Sequence, residues 1–331
     1  MSLVLGLALS SAVAADDTVT IAGGNYLGDL PTLVAEEREL FRQQGLNAQV
    51  RYGATGAENL ARLRAGTADF ALMALTPLAL DLLADGSPGG GDDPVILANL
   101  VHASTFNRVV VPADSPLQKP ADLAGATIAV AHGTNAEVVW DLFLAIHALD
   151  PDRISVRDSA PADIGEALEH GHVDAALVWE PWRARLRERV TGGVRTIPGN
   201  TAYAGKWLLV ARRDVATQEP ERVRALLTAY GQAVDFAKRE PTEALALYAE
   251  HAGVSAEALA PAWDALDYEL SLDWSVVAAL QQHIAWARRR PGTLIADAEP
   301  SVLDLLAPAA LSSLRPRAVG LPASMNSGES P

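Results

Sequence analysis

The chain has 331 residues, room for two or three domains, and its 49% hydrophobic and 20% charged residues exclude wholesale disorder. With 26 Lys+Arg against 41 Asp+Glu, the net charge is −15 and the pI near 4.8, so the surface repels phosphate backbones and argues against nucleic-acid binding. Cysteine is absent, which removes disulfides, thiolate nucleophiles, cysteine-ligated zinc, iron–sulfur clusters and a lipid-attachment site in one step.

The first residues, Leu3 to Leu9, form a short apolar core, and the small residues Ala12 and Ala14 stand ahead of Asp16 and Asp17. This is the cleavage pattern of a secretory signal peptide over 1–15, although the positive leading residues are missing. No later stretch reaches the roughly 18 apolar residues of a membrane span. The expected mature protein is therefore exported, soluble and unanchored, and a bacterial periplasm fits best.

Beyond the leader, short strand-like runs alternate with amphipathic helices, the pattern of an α/β fold with a largely parallel sheet. Val19 to Ile21 reads as a strand, the loop Gly23 to Gly28 follows, and a helix with Leu30, Leu33, Val34, Leu40 and Phe41 inward stops at Gly45. Ala48 to Tyr52 and Phe70 to Met73 are strands, and Thr76-Pro77 opens a helix. Ala126 to Val130, Ile154 to Val156 and Ala175 to Val178 are further strands, with a helix from Ala136 to Leu149 between the first two. Thr196-Ile197 and Trp207 to Ala211 lead into a block from Pro220 to Arg290 that reads as helical, broken at Pro241, Gly253 and Pro261.

One unit occurs twice. Leu63 to Leu72 (LRAGTADFAL) matches Leu168 to Leu177 (LEHGHVDAAL) at a constant offset of 105 residues, each a helix end, a glycine suited to a left-handed cap, and a strand. Such a repeat predicts two similar α/β lobes.

The pieces that carry a family resemblance then appear in order. They are Gly24-Asn25-Tyr26, Glu39 to Leu46 (ELFRQQGL), Ala65 to Phe70 (AGTADF), Asp114 to Leu117 (DSPL), Pro120 to Gly125 (PADLAG), Gly133-Thr134 and Val173 to Trp182 (VDAALVWEPW). From about residue 18 to 291 the chain resembles the periplasmic substrate-binding proteins of ABC importers for nitrate, taurine, alkanesulfonates and thiamine pyrimidine precursors. That resemblance implies a bilobal binding-protein fold with a ligand cleft between the lobes. Lobe I would comprise 18–104 and 205–315, lobe II 105–204, and the tail 316–331 would be disordered. Crossovers would lie near Ala103-Ser104-Thr105 and Thr201-Ala202-Tyr203. The implied partners are a small-molecule ligand and an inner-membrane ABC permease, met by a monomeric receptor.

In open α/β sheets, ligands bind beyond the carboxyl ends of strands, where helix N-termini present free N–H groups. Four loops fit. They are Gly24 to Asp29 with Asn25 and Tyr26, Gly53 to Gly56 with Thr55, the turn around Thr76, and His132 to Asn135. Gly133-Thr134 suits either a bound anion or a plain turn with Thr134 as cap. Trp179 offers a flat wall. Glu180 offers a carboxylate to a ligand donor, or an acidic first-turn residue to its own helix. Asp29 either meets the ligand or caps the helix at Leu30, and Tyr203 either closes over the ligand or packs at the hinge. Arg108 and Lys206 are candidate anchors for an anionic head group.

Reactive groups are sparse. The seven histidines include no HExxH, His170-x-His172 brackets a turn, and no GxSxG elbow is present. The fungal pyrimidine synthase of the same fold carries a cysteine signature that this chain lacks. The expectation is a receptor without catalytic residues, metal or cofactor, binding an alkanesulfonate-, taurine- or nitrate-type solute or else a thiamine pyrimidine precursor; an enzyme on the same fold is the third reading.

Overall fold

A computed structural model describes residues 18–85, 90–104, 107–199, 203–295 and 301–322. The expected leader over 1–15 lies outside them. The strands are β1 (Thr18–Gly24), β2 (Asn47–Gly53), β3 (Phe70–Ala74), β4 (Pro94–Ala103), β5 (Arg108–Pro112), β6 (Thr127–Val130), β7 (Ser155–Asp158), β8 (Ala175–Val178), β9 (Val194–Thr196), β10 (Gly205–Arg212), β11 (Leu266–Asp273) and β12 (Val319–Gly320). They form two sheets, so the fold is α/β with two lobes. The seven-stranded sheet has the order β12-β11-β4-β10-β3-β1-β2 and the five-stranded sheet β7-β6-β8-β5-β9.

Each sheet has a parallel heart. β1 pairs in parallel with β2 and β3, and β6 with β7 and β8. The chain that passes between the lobes supplies antiparallel neighbours, with β10 between β3 and β4, and β5 between β8 and β9. The central strands β3 and β8 are buried throughout because helices cover both faces. β2, at an edge, alternates between exposed and half-buried residues.

The duplicated unit explains itself here. Gly66 and Gly171 both adopt positive φ, 66° and 64°, ending their helices in the left-handed region. Asp69 and Asp174 follow, and each side chain accepts a backbone N–H from the neighbouring parallel strand, β1 or β6, from Thr20 at 2.8 Å and from Thr127 at 2.7 Å. Each aspartate also donates its own N–H to that same strand residue's carbonyl. The repeat is a clip that sets strand register in both lobes.

Three expectations are corrected. Leu266–Asp273 is a strand, not helix; its alternation buries Leu266, Tyr268 and Leu270 against the sheet and overrides the helical reading of 220–290. Pro261 does not break its helix but lies inside Ala256–Trp263, close enough to the end to cost little of the hydrogen-bond ladder. The tail is ordered further than expected, since Val319–Gly320 pairs with β11; residues 323–331 lie outside the described residues.

Asn59, wholly buried, fastens the sheet to the helix Gly56–Arg64. Its side-chain amide donates to Gly23 O at 3.0 Å and Leu72 O at 2.8 Å, joining the ends of β1 and β3 that carry cleft loops. Asn59→Leu should leave both carbonyls buried and unpaired and lower unfolding stability by about 2–4 kcal/mol in urea titration; a change below about 0.5 kcal/mol would show that the clamp is dispensable.

Candidate ligand-binding site

The loop after β1 is shaped by two glycines. A Cβ on Gly24 would stand 2.7 Å from the Trp207 ring, and one on Gly28 would stand 2.1 Å from the Tyr26 ring. Without side chains, the loop lies against β10 and Tyr26 folds back over its own turn. The Tyr26 and Trp207 rings then meet at 4.4 Å, tilted by 57°. Leu27 N–H reaches across to Glu180 O at 3.3 Å, so the same loop also touches the other lobe.

Between the sheets lies a narrow cavity of about 30 Å³. Tyr26 and Trp207 line it from the seven-stranded lobe, Trp179 from the five-stranded lobe, and Tyr203 from the chain between them; each is 7% exposed. Polar groups are uncharged for the most part. Asn25, Thr55, Thr134 and Asn135 line the cavity, and the Asn25 side-chain oxygen is buried with no partner among the described residues. Gly56 and Pro77 complete the floor.

Of the residues singled out from sequence, Asn25, Tyr26, Thr55, Gly56, Thr134, Trp179 and Tyr203 therefore come together. Thr55 and Thr134 also cap their helices, accepting from Glu58 N–H and Ala136 N–H. Four others do not line the cavity. Gly133 turns its N–H onto Glu137 at 2.7 Å, so a side chain already occupies the anion position. Glu180 is spent inside the fold, bound by Arg183 Nε at 2.6 Å and Ala184 N–H at 2.9 Å. Thr76 is wholly buried beside the lining residues Ala74 and Pro77. Asp29 lies beneath the floor. The sequence reading missed Trp207 and Asn135.

The two expected cationic anchors behave differently. Lys206 lines the cavity, but its ammonium is held by Ser275 Oγ at 2.8 Å and by His102, and burial lowers its pKa. Arg108 does not line the cavity, and burial, then the neighbouring Arg183 charge, lower its pKa.

Asp29 is the buried charge of the site. Its carboxylate accepts Gly24 N–H and Thr32 Oγ1–H, and the Trp207 indole N–H approaches without closing an aligned bond. No cation pairs with it among the described residues. Burial dominates these bonds and pushes its pKa up to about 7.

The lobes are pinned across the cleft on both flanks. Arg185 and Arg187 donate to Ala252 O and Ala258 O at 2.9 and 3.1 Å, while Trp286 Nε1 and Arg290 Nε donate to Asp141 and Glu137 at 2.7 and 2.9 Å.

Two α/β lobes around an aromatic cavity define the class of bilobal solute-binding folds. The chain belongs to the NMT1/THI5-like family, whose pattern it matches over residues 29–244. A Brucella abortus protein named for binding is 27% identical over 256 residues, 76% of this chain and 77% of that one. The alkanesulfonate-binding protein SsuA from Xanthomonas axonopodis pv. citri, bound to MOPS, superposes with a TM-score of 0.70 at 21% identity, over 85% of this chain and 97% of that one. The desulfurization enzyme DSZB superposes at 0.66 with 19% identity, covering 91% and 99%. The fold is thus shared by a binding protein and an enzyme, and the lining carries the distinction.

Because the folded protein holds the Asp29 proton more tightly than the unfolded chain does, stability is highest below the ordinary value of 3.8 and falls as pH rises to about 7. Asn in its place keeps an acceptor for Gly24 and removes the charge. Asp29→Asn should therefore gain thermal stability over the parent increasingly from about pH 4 to pH 8, by a few kcal/mol at the top. A pH-independent offset between the two melting curves would rule out a buried ionising carboxylate.

Proposed function

We propose that the protein is the periplasmic receptor of an ABC importer, acting as a monomer that captures a small, flat, uncharged heteroaromatic solute and presents it to a permease without altering it. One observation carries the reading of the solute. Among the described residues, the cavity is walled by Tyr26, Trp179, Tyr203 and Trp207, no arginine lines it, and the ammonium of its lining lysine is tied to Ser275 and His102. A sulfonate or nitrate needs charge-assisted donors to offset its desolvation. Beneath the floor, the other buried ionisable group is an acid, Asp29.

The ligand's own polarity follows from what is unsatisfied. The buried Asn25 oxygen calls for a donor, such as a ring amine, and Asn135 and Thr55 give further neutral contacts. Aminopyrimidines of the hydroxymethylpyrimidine type meet these demands, with one face for each aromatic wall. The alkanesulfonate reading draws on the named ligands of the Xanthomonas structure, which shares the fold at 21% identity. For an enzyme on this fold, the chain offers no cysteine nucleophile.

Calorimetry with a hydroxymethylpyrimidine-type compound, taurine, an alkanesulfonate and nitrate separates the readings. The pyrimidine should bind with a Kd of about 1 μM, near −8 kcal/mol, and Trp179→Ala should weaken it by about 30-fold. The recovered compound should be chemically unchanged by NMR. Tight binding of nitrate or taurine, lost in Lys206→Gln, would replace this reading with the anion one.

A further inference from the structure

The polar contacts that cross between the lobes share a plan. On the five-stranded side they come from two helices, Asn135–Ile146 and Trp182–Arg189, which pack on β6, β8 and β9. Each helix follows directly from a cavity wall. Thr134 and Asn135 open the first, and Trp179 stands just ahead of the second. The groups that reach the other lobe sit within about two helical turns of these lining residues.

Glu137 is the centre of one flank. Its carboxylate accepts Arg290 Nε from the seven-stranded lobe at 2.9 Å through Oε1, and Gly133 N–H at 2.7 Å through Oε2. One acid thus ties the opposite lobe to the turn that precedes Thr134 and Asn135. A turn further along the same face, Asp141 accepts the Trp286 indole N–H at 2.7 Å. Trp286 lies in the helix Trp274–Ala287 and Arg290 in the turn just past its end, so the two rungs run antiparallel.

The other flank uses neutral acceptors. Arg185 sets Nε and Nη2 on Ala252 O at 3.3 and 2.9 Å, and Arg187 Nη1 donates to Ala258 O at 3.1 Å. Ala252 ends the helix Pro241–Ala252, where the last carbonyls lack partners inside the helix and the dipole is negative. The side chains on both flanks are half-buried or exposed. Parting the lobes would hand them to water and leave none buried and unpaired, so the contact is reversible.

We propose that these contacts form a latch, with Glu137 as its central positioning residue, that sets the balance between open and closed lobes. The chain's own side chains hold the closed arrangement. Apparent affinity scales with the fraction of protein already in the binding-competent arrangement, so the latch tightens any solute held between the lobes. This is independent of the solute's chemistry, and the heteroaromatic reading can fail without it.

The cysteine-free chain allows a clean distance measurement. Ala61 and Glu166 are exposed, lie on opposite lobes and stand just ahead of the two copies of the duplicated unit. The full chain is spin-labelled at Ala61→Cys and Glu166→Cys and refolded from urea free of small molecules. Double electron–electron resonance should then give mainly one short distance. Arg290→Gln and Glu137→Gln should each raise the ratio of a longer distance to the short one about tenfold, and together little more, because they break one bond. Arg185→Gln, on the other flank, should multiply the effect of Arg290→Gln by about tenfold again. Arg315→Gln, which breaks the ion pair with Asp235 inside the seven-stranded lobe, should leave the distances unchanged. A parent already dominated by the longer distance, an unchanged distribution in the Arg185→Gln/Arg290→Gln double variant, or equal opening in Arg315→Gln would each overturn the proposal.

Discussion

The cleft depends on a contact that is possible only because residue 24 has no side chain. Trp207 occupies the space that a Cβ would need, and from there it supports Tyr26 and approaches the Asp29 carboxylate that Gly24 N–H also binds. Backbone, two aromatic rings and a buried acid are thus coupled through one point. A side chain at position 24 would have to move the Trp207 ring, and with it the wall and floor of the cavity.

That arrangement carries a cost and a use. Asp29 is held without a cation, so its charged form destabilises the folded protein, the usual sign of a buried group retained for a purpose other than stability. Neutral amides and hydroxyls line the cavity beside four aromatic residues, which offer contact area at little cost in side-chain freedom. One fold is accordingly shared by an alkanesulfonate-binding protein and a desulfurization enzyme.

Much of this was legible in the sequence. The duplicated LRAGTADFAL and LEHGHVDAAL segments announced two lobes because their glycine and aspartate perform the same local tasks in each. Tyr26, Trp179 and Tyr203 could be placed near the cleft from the loops that bear them. Other features depended on partners distant in sequence. Glu180 and Gly133 look available until Arg183 and Glu137 are seen to occupy them, and Trp207 reads as one more apolar strand residue until β10 is set beside β3. β11 was hidden inside a helical block because its alternation is short and its neighbours are strong helices.

The most direct measurement is native mass spectrometry of the protein recovered from its own cells without a denaturing step, with the released small molecule identified by fragmentation. The account predicts a planar, uncharged, nitrogen-bearing ring compound in one-to-one stoichiometry. An inorganic oxyanion or an aliphatic sulfonate in that position would contradict it.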